Sequence, residues 1–275
     1  MLKILNLGAG VQSSTIILMA CRGELPKPDA CIFADTMEEP PSVYAWMDKV
    51  LRPEADKAGI PIYVVSETNR PEHRRKVDQI PGFVRGKDGK YSMVPRQCTR
   101  DWKIIPIERK VRELLGLKPG ARYPKTLAVE TWLGISGDEI QRMKHSTDPW
   151  RRFWHPLIEM PWDERPHPLW RNPPIKRGDC QAWMRAHGYG DAPRSACTFC
   201  PMHSNDEWRR LQEKEPEAFA AAVAADRLLR EGERRHEAMY VHRSMRPLSE
   251  IDFTRQQSLA LDSSMDDECG GVCGV

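Results

Sequence analysis

The feature that most constrains the fold is a strand, a glycine-rich turn and a helix at the start of the chain. Residues 2–7 form a short β-rich run, and Gly8-Ala9-Gly10 follows it. Residues 11–21 then have the spacing of a helix that ends near Gly23. This order is typical of an α/β fold, in which each strand is followed by a helix that packs on the sheet.

The alternation of strand and helix continues along the chain. Strands are also predicted at residues 30–34, 62–65 and 127–135, and helices at residues 41–57, 102–115, 179–187 and 205–235. A surface loop is predicted at residues 82–95, and an irregular, folded segment at residues 150–174. The sequence therefore predicts a Rossmann-like α/β fold. It has a mainly parallel central sheet, helices on both faces and a helical, cysteine-bearing C-terminal region.

Composition sets limits on the class of protein. The chain has 275 residues, of which 40% are hydrophobic, so it can bury a globular core. No run approaches the roughly 20 apolar residues of a membrane span, and residues 1–8 are predicted to be a strand and not a signal peptide. We therefore expect a cytoplasmic protein without a membrane partner. The net charge of +3 does not by itself predict a nucleic-acid partner, although residues 73–76 and 234–236 are locally basic.

The turn after the first strand is a candidate anion site. Glycines let backbone N–H groups approach an anion, and the following helix directs the positive end of its dipole toward it. Ser13, Ser14 and Thr15 add hydroxyl groups. The run is neither a Walker A sequence nor a Gly-x-Gly-x-x-Gly, and a plain tight turn between strand and helix is the alternative.

Residues 8–13, Gly-Ala-Gly-Val-Gln-Ser, resemble the modified P-loop of the adenine nucleotide alpha-hydrolase superfamily. That superfamily includes ATP pyrophosphatases and phosphoadenylyl-sulfate (PAPS) reductases. The pyrophosphatases have Ser-Gly-Gly-x-Asp-Ser, and a glutamine in place of the aspartate is closer to the reductase form. The resemblance implies that an adenine nucleotide, ATP or PAPS, is bound by Gly8, Ala9, Gly10, Gln12, Ser13 and Ser14.

Two later segments carry the same resemblance. Residues 32–36, Ile-Phe-Ala-Asp-Thr, are similar to the Asp-Thr motif of the family's second strand. Residues 134–142 are similar to its Gly-Leu/Ile-Arg-x-x-Glu/Gln-Ser-x-x-Arg segment, with Ser136 where the family usually has an arginine. The resemblance implies nucleotide contacts from Asp35, Thr36, Gly134 and Arg142, the last on phosphate or sulfate.

The chain has eight cysteines, and in a cytoplasmic protein these favour metal or redox chemistry over disulfides. Cys197 and Cys200 form a Cys-x-x-Cys followed by Pro201. Two thiolates at this spacing can hold a metal ion or one edge of a cluster. A thioredoxin-like dithiol is the competing interpretation.

Residues 98–106 resemble the Cys-Cys-x-x-Arg-Lys-Val-x-Pro segment of cluster-bearing adenylyl-sulfate reductases, with Thr99 in place of the second cysteine. The resemblance implies a [4Fe–4S] cluster, and Cys180 is the best candidate for the fourth ligand. The implied ligand set is Cys98, Cys180, Cys197 and Cys200. Zinc fits the same ligands chemically, and free thiols are the third alternative.

The C-terminal tail is similar to the end of sulfonucleotide reductases through Glu268-Cys269-Gly270. In that family the cysteine attacks the sulfur of the nucleotide. The resemblance implies that Cys269 is the nucleophile, and Cys273 is placed to resolve the intermediate, with a thiol reductant protein as a partner. An incidental pair of cysteines in a flexible tail is the alternative.

Three functions follow from these motifs. The first is a PAPS reductase-like oxidoreductase, and the second is an ATP-dependent sulfur transferase or nucleic-acid-modifying enzyme that adenylylates its substrate. The third is a non-catalytic regulator that binds a nucleotide or a cluster. We expect residues 1–150 to form the adenine-nucleotide-binding core. Residues 151–275 are expected to form a cysteine-bearing helical extension with a flexible tail, packed as one unit with the core.

Overall fold

The computed structural model describes residues 1–67, 81–85, 91–94, 97–161, 171–231 and 238–253. Its strands are β1 (Leu2–Leu7), β2 (Ala30–Ala34), β3 (Ile62–Val65), β4 (Phe83–Arg85), β5 (Tyr91–Met93), β6 (Val129–Trp132) and β7 (Arg151–Trp154). Five of them form the central sheet in the order β3-β2-β1-β6-β7, and all neighbouring pairs are parallel. Because the order reverses between β1 and β6, a crevice is expected at the carboxyl ends of these two strands.

The helices are α1 (Val11–Cys21), α2 (Pro41–Trp46), α3 (Arg52–Ala58), α4 (Ile105–Leu114), α5 (Arg177–Ala186), α6 (Asn205–Lys214) and α7 (Pro216–Glu231). A π-helical turn, Met47–Leu51, joins α2 to α3, and another, Thr99–Ile104, leads into α4. A 3-10 turn, Gly137–Arg142, follows β6, and a second one is Leu248–Glu250. α2 begins with a proline, where the missing N–H costs no hydrogen bond. Pro53 of α3 and Pro106 of α4 are the second residues of helices that continue directly from the two π-helical turns.

Alternating residues of the strands point to the two faces of the sheet. Leu5 and Phe33 pack with α1 on one face, whereas Ile4 and Ile32 pack with α4 on the other. All residues of α1 from 11 to 20 are buried, because α5 covers the side of α1 that faces away from the sheet. Helices therefore cover both faces of the sheet, as an α/β fold requires.

A further core cluster surrounds α6 and α7. It includes Trp208 and Leu211 of α6, and Ala222 of α7, all of which are fully buried. Cys98 and Cys197 are partly buried and pack against this cluster. Two regions that are about a hundred positions apart in the sequence are thereby brought to one place.

The predicted fold class is confirmed, and β1, β2 and β3 have the predicted bounds. The strand predicted at residues 127–135 is shorter than expected, Val129–Trp132. Two segments differ from the prediction in kind. Residues 82–95 do not form a plain surface loop, because β4 and β5 pair as an antiparallel hairpin and Phe83 is buried. The segment predicted to be irregular begins with β7. Its sequence, Arg-Arg-Phe-Trp, does not have the apolar pattern of a buried strand. Arg152 forms a hydrogen bond of 2.7 Å to Glu130 on the adjacent β6.

The expected division at residue 150 passes immediately before β7, so the second part of the chain supplies the edge strand of the sheet. It also supplies α5, which packs on α1. Among the described residues, no helix has the length and apolar character needed to cross a membrane.

Candidate functional site

The predicted nucleotide loop is one ordered turn at the carboxyl end of β1. The N–H of Gly8 donates to the hydroxyl of Ser13 over 3.1 Å. Trp46 of α2 donates from Nε1 to the hydroxyl of Ser14 over 2.9 Å. Ala9 has a φ of 58°, a left-handed conformation that glycine would adopt more easily. The loop residues of the motif are therefore fixed both by each other and by α2.

Two glycines let neighbouring segments touch this loop. A Cβ on Gly134 would lie 3.0 Å from the backbone nitrogen of Ser13, closer than a Cβ normally approaches another atom. A Cβ on Gly10 would lie 3.3 Å from the Cβ of Ser195. Gly134 thus allows the segment after β6 to reach the loop, and Gly10 makes room for Ser195 from the segment that precedes the cysteine pair.

Gln12 connects the loop to the turn after β6. Its Nε2 lies 3.2 Å from Oε2 of Glu139 and 3.4 Å from the hydroxyl of Ser136. Arg142 pairs with the other oxygen of Glu139 over 2.8 Å. Burial raises the pKa of Glu139, and the charge of Arg142 opposes that rise. The structure thus brings together three residues of the motif resemblance, and it adds Glu139 as the carboxylate that joins them.

The Asp-Thr motif lies at the carboxyl end of β2. The hydroxyl of Tyr44 donates to Oδ1 of Asp35 over 2.8 Å, and the N–H of Met37 donates to the same oxygen over 2.7 Å. Burial and the hydrogen bond to Asp35 raise the pKa of Tyr44, so its hydroxyl remains a donor. The hydroxyl of Thr36 turns the other way and lies 3.2 Å from Sγ of Cys197.

The loop with the cysteine pair is held against this motif. The N–H of Thr198 donates to the carbonyl of Glu38 over 2.7 Å, and the N–H of Cys200 donates to the carbonyl of Cys197 over 2.9 Å. Burial raises the pKa of the Cys197 thiol well above its usual value, and the nearby Glu39 and Cys98 raise it further. Cys98, Cys197 and Cys200 therefore lie in one region, beside the second nucleotide motif.

Glu39 is a buried carboxylate between these elements. Its side chain is 1% exposed, and Lys103 pairs with its Oε1 over 3.4 Å. Ser195 donates to its Oε2, also over 3.4 Å. The charge of Lys103 lowers the pKa of Cys197 and so opposes the effect of Glu39. Lys103 precedes α4 in the segment that begins at Cys98, so this carboxylate joins that segment to Ser195.

Cys180, the expected fourth ligand, lies elsewhere. It is fully buried in the core between α1 and α5. Burial raises the pKa of its thiol to about 12, while a hydrogen bond with Thr15 opposes the rise. Within the described part of the chain, no three His, Cys, Asp or Glu side chains are grouped closely enough to hold a metal ion.

The surroundings of the cysteine loop nevertheless contain unused hydrogen-bonding groups. Among the described residues, Oγ1 of Thr198 and Nδ1 of His203 are buried without a partner, and so is Nε1 of Trp102. Burial lowers the pKa of His203 to about 3, so its ring is neutral, and Nε2 lies 2.9 Å from the carbonyl of Cys197. Because Nε2 of the neutral ring carries the proton that it donates to this carbonyl, Nδ1 is an acceptor. The hydroxyl of Thr198 and the indole N–H of Trp102 are donors, and they would suit a sulfur-rich anionic group, whose sulfur atoms accept hydrogen bonds. The chemistry of this region therefore fits a thiolate-bound metal centre.

A cleft opens between the ends of β1 and β2 and the start of α4. It is lined by Asn6, Leu7, Gly8, Phe33, Ala34, Lys103 and Ile107. Its walls are largely apolar, and Lys103 supplies a positive charge. Open α/β sheets bind their ligands at this position. The cleft itself is small, with a volume of about 20 Å³.

Several residues of the site were not identified from the motifs. Glu39 and Glu139 are buried acidic residues within the quoted segments, but nothing in the sequence alone indicates their partners. Ser195 contacts Gly10, which is far from it in the sequence, and no local pattern predicts that contact. Asn6 had a visible signal, because it is a polar residue within an otherwise apolar strand.

Several predicted features lie outside the described residues. They are the candidate catalytic residues Cys269 and Cys273, and the basic segments at residues 73–76 and 234–236. Their predicted roles therefore stay predictions.

The comparison with solved structures found a structural relative of the chain. The chain is similar to phosphoadenylyl-sulfate (PAPS) reductase from Candida auris, whose crystal structure is a phosphate complex. The two are 14% identical, the match covers 70% of this chain and 74% of that chain, and the TM-score is 0.36. No protein-family model matches the chain, and no curated protein sequence is similar to it.

Proposed function

We propose that the protein is an enzyme that binds an adenine nucleotide at the carboxyl ends of β1 and β2 and performs thiol-dependent sulfur chemistry, as a PAPS reductase-like oxidoreductase. One observation carries this proposal. The hydroxyl of Thr36 lies 3.2 Å from Sγ of Cys197, so the segment that resembles the second nucleotide motif contacts the cysteine loop. A nucleotide held by Asp35 and Thr36 would then lie beside the thiols.

The nucleotide would be held by two parts of the site. The loop of Gly8, Ala9, Gly10, Gln12, Ser13 and Ser14 would take the phosphates, since backbone N–H groups at a helix start favour anions. The base would lie at the carboxyl ends of β1 and β2, where open α/β sheets bind their ligands. Gly134 would keep the segment after β6 against the loop, and Arg142 would add positive charge at its far side.

In the proposed reaction, the thiolate of Cys269 attacks the sulfur of a sulfonucleotide. A sulfur–sulfur bond forms, the sulfur–oxygen bond to the phosphate breaks, and the nucleotide leaves with the electron pair of that bond. The thiolate of Cys273 then attacks Sγ of Cys269, which releases sulfite and leaves a disulfide. The two thiols thus supply the two electrons, and an external thiol reductant would restore them.

The proposal includes a metal centre at the cysteine loop. Cys98, Cys197 and Cys200 would hold it, and a [4Fe–4S] cluster is favoured over zinc. Cys180, the expected fourth ligand, is buried between α1 and α5 and would not take part. Such a centre would supply a charged, sulfur-rich group beside the nucleotide. Thr198 would stabilise it through a hydrogen bond, because its Oγ1 is buried without a partner among the described residues.

The function is tested with protein purified without oxygen. PAPS is added together with a dithiol reductant, and sulfite is measured; ATP is added in a parallel sample, and pyrophosphate is measured. We expect sulfite from PAPS in the wild type and none from the Cys269→Ser variant. Pyrophosphate from ATP without sulfite from PAPS would reject the reductase reaction.

One observation favours the second candidate function, an ATP-dependent sulfur transferase or nucleic-acid-modifying enzyme. Ser136 replaces an arginine of the reductase motif, and it is fully buried beside Gln12. The segment therefore offers no guanidinium at this position for the sulfate of a sulfonucleotide. The parallel ATP sample tests this candidate when a nucleic acid is added as the acceptor, because transfer of the adenylyl group to an acceptor releases pyrophosphate.

A further inference from the structure

The short helix α2 contacts both nucleotide motifs. Nε1 of Trp46 donates to the hydroxyl of Ser14, in the loop after β1, over 2.9 Å. The hydroxyl of Tyr44 donates to Oδ1 of Asp35, at the end of β2, over 2.8 Å. Because both donors belong to one helix of six residues, a displacement of α2 would move a residue of each motif.

The first turn of α2 is capped by a distant residue. Pro40 precedes the helix and offers no side-chain acceptor for the first N–H groups. Glu215, which is 173 positions away from Ser42, takes this role. Its Oε2 accepts from the N–H of Ser42 over 3.0 Å, and its Oε1 accepts from the hydroxyl of Ser42 over 2.9 Å. A carboxylate at this end of a helix also interacts favourably with the helix dipole.

The side chain of Glu215 is itself held in place. The residue lies between α6 and α7, and its N–H donates to the carbonyl of Leu211 over 2.9 Å. Arg210 pairs with Oε1 of Glu215 over 2.5 Å, and Glu207 holds the same guanidinium over 2.8 Å. Burial would raise the pKa of Glu215, but hydrogen bonds from Ser42 and Arg210 lower it below its ordinary value. The cap is therefore a fixed and charged carboxylate at neutral pH.

The cap connects α2 to the region that surrounds the cysteine loop. Trp208 and Leu211 of α6 belong to the core cluster against which Cys98 and Cys197 pack. The buried side of α2, in contrast, packs in the core between α1 and the sheet. The position of α2 is thus determined from two parts of the molecule.

We propose that Glu215 is a positioning residue of the nucleotide site, because it caps the helix that holds Ser14 and Asp35. The inference rests on the proposed nucleotide site and adds a residue that does not touch the nucleotide. Loss of the carboxylate weakens both hydrogen bonds at the start of α2. Trp46 and Tyr44 then donate from a helix that is less firmly placed, and the two motifs lose their fixed relative position.

The experiment compares Glu215→Gln with Asp226→Asn by calorimetry with ATP. Asp226 is the matched control, because it is a buried carboxylate of α7 that also pairs with an arginine and accepts from backbone N–H groups. None of these partners of Asp226 belongs to α2. We expect both variants to be less stable than the wild type, but only Glu215→Gln to weaken ATP binding, by about tenfold.

Ser42→Ala tests whether the effect passes through α2. This variant removes the hydroxyl and keeps the N–H bond to Glu215, so its loss of ATP affinity should be smaller. Because Ser42 and Glu215 are direct partners, the loss in the double variant should be less than the sum of the two single losses. Additive losses would show that Glu215 acts by another route and would overturn the inference.

A second measurement does not depend on the nucleotide. The amide of Ser14 is bonded within the loop after β1, and the amide of Met37 is bonded to the carboxylate of the Asp-Thr motif. Hydrogen exchange at these two amides therefore reports on both motifs directly. We expect exchange to be about tenfold faster in Glu215→Gln and unchanged in Asp226→Asn.

The outcomes separate this inference from the proposed function. If the wild type does not bind ATP, the proposed nucleotide site is rejected, and hydrogen exchange still decides whether Glu215 positions the two motifs. Wild-type exchange and affinity in Glu215→Gln, or an equal loss of affinity in Asp226→Asn, would overturn the inference. If Glu215→Gln does not fold, the same measurements on Ser42→Ala decide the matter, and unchanged values would reject the positioning role.

Discussion

The side-chain amide of Gln12 lies 3.2 Å from Oε2 of Glu139 and so joins the loop after β1 to the turn after β6. The other carboxylate oxygen of Glu139 pairs with Arg142 over 2.8 Å. One buried acid thus fixes the relative position of the two segments on either side of the crevice. The protonation state of Glu139 therefore affects how firmly these two segments are held together.

Glu139 should make stability depend on pH. Burial raises its pKa in the folded protein, so the folded protein binds this proton more tightly than the unfolded chain does. Its contribution is fully present below the unfolded-state pKa of about 4.3 and is lost as pH rises through the folded-state pKa. We expect Glu139→Gln to remove this part of the pH dependence. Urea unfolding at several pH values measures it, and identical profiles for the two proteins would contradict the prediction.

Gly134→Ala should weaken nucleotide binding. The new Cβ would lie 3.0 Å from the nitrogen of Ser13, so either the loop or the segment after β6 must move. We expect a loss of at least tenfold in ATP affinity, about 1.4 kcal/mol. Gly178→Ala is the matched control, because a Cβ there has no atom within 4 Å. Equal affinity of the two variants in calorimetry would show that the close approach has no role in binding.

Gly10→Val tests the other contact of the loop. A side chain at position 10 meets Ser195 before it fills the cleft, so residues 193–195 must shift. Overpacking of this kind typically costs about 1 to 3 kcal/mol. We expect a lower melting temperature together with at least tenfold weaker ATP binding. Unchanged affinity would remove Gly10 from the proposed anion site, whatever the effect on stability.

The metal proposal is tested by serine substitutions. Cys98→Ser, Cys197→Ser and Cys200→Ser should each lower the iron or zinc content of protein purified without oxygen, and should destabilise the fold. Full metal content in all three variants would reject the centre. Cys180→Ser should keep full metal content, because Cys180 packs between α1 and α5; loss of metal in this variant would contradict that placement.

The two C-terminal cysteines should differ in their effects. Cys269→Ser is expected to keep nucleotide binding and metal content but to lose turnover. Cys273→Ser should leave the first attack intact and slow its resolution, so that an adduct on Cys269 accumulates. Intact mass spectrometry after incubation with PAPS detects it. If the nucleotide site is occupied and no adduct forms in any protein, the reductase mechanism is rejected.

β2 was predictable because it is buried on both faces and is a continuous apolar run. Ile32 and Phe33 of β2 show this clearly, since they pack on opposite faces and both are apolar. β7 was not predictable, because its arginines depend on carboxylates elsewhere in the fold, such as Glu130. The local sequence pattern does not indicate a partner that lies so far along the chain.

The sequence likewise predicted only part of the candidate site. The glycine-rich turn and the Asp-Thr motif identified its two sides, since local sequence determines a turn at the end of a strand. The contact of Thr36 with Cys197 spans 161 positions, and that of Ser195 with Glu39 spans 156. Only the packed structure determines which side chains meet over such separations.

The burial of α1 by α5 has a consequence for the chain as it leaves the ribosome. The first helix to be made depends on Cys180 and Met184 for its outer covering. At typical rates of synthesis, roughly 10 to 30 seconds separate the two helices. During that interval an apolar surface of α1 stays exposed to water, and a nascent chain in this condition is a natural client for a chaperone. β1 and α1 are therefore synthesised first, but their packing is completed only after α5 has been made.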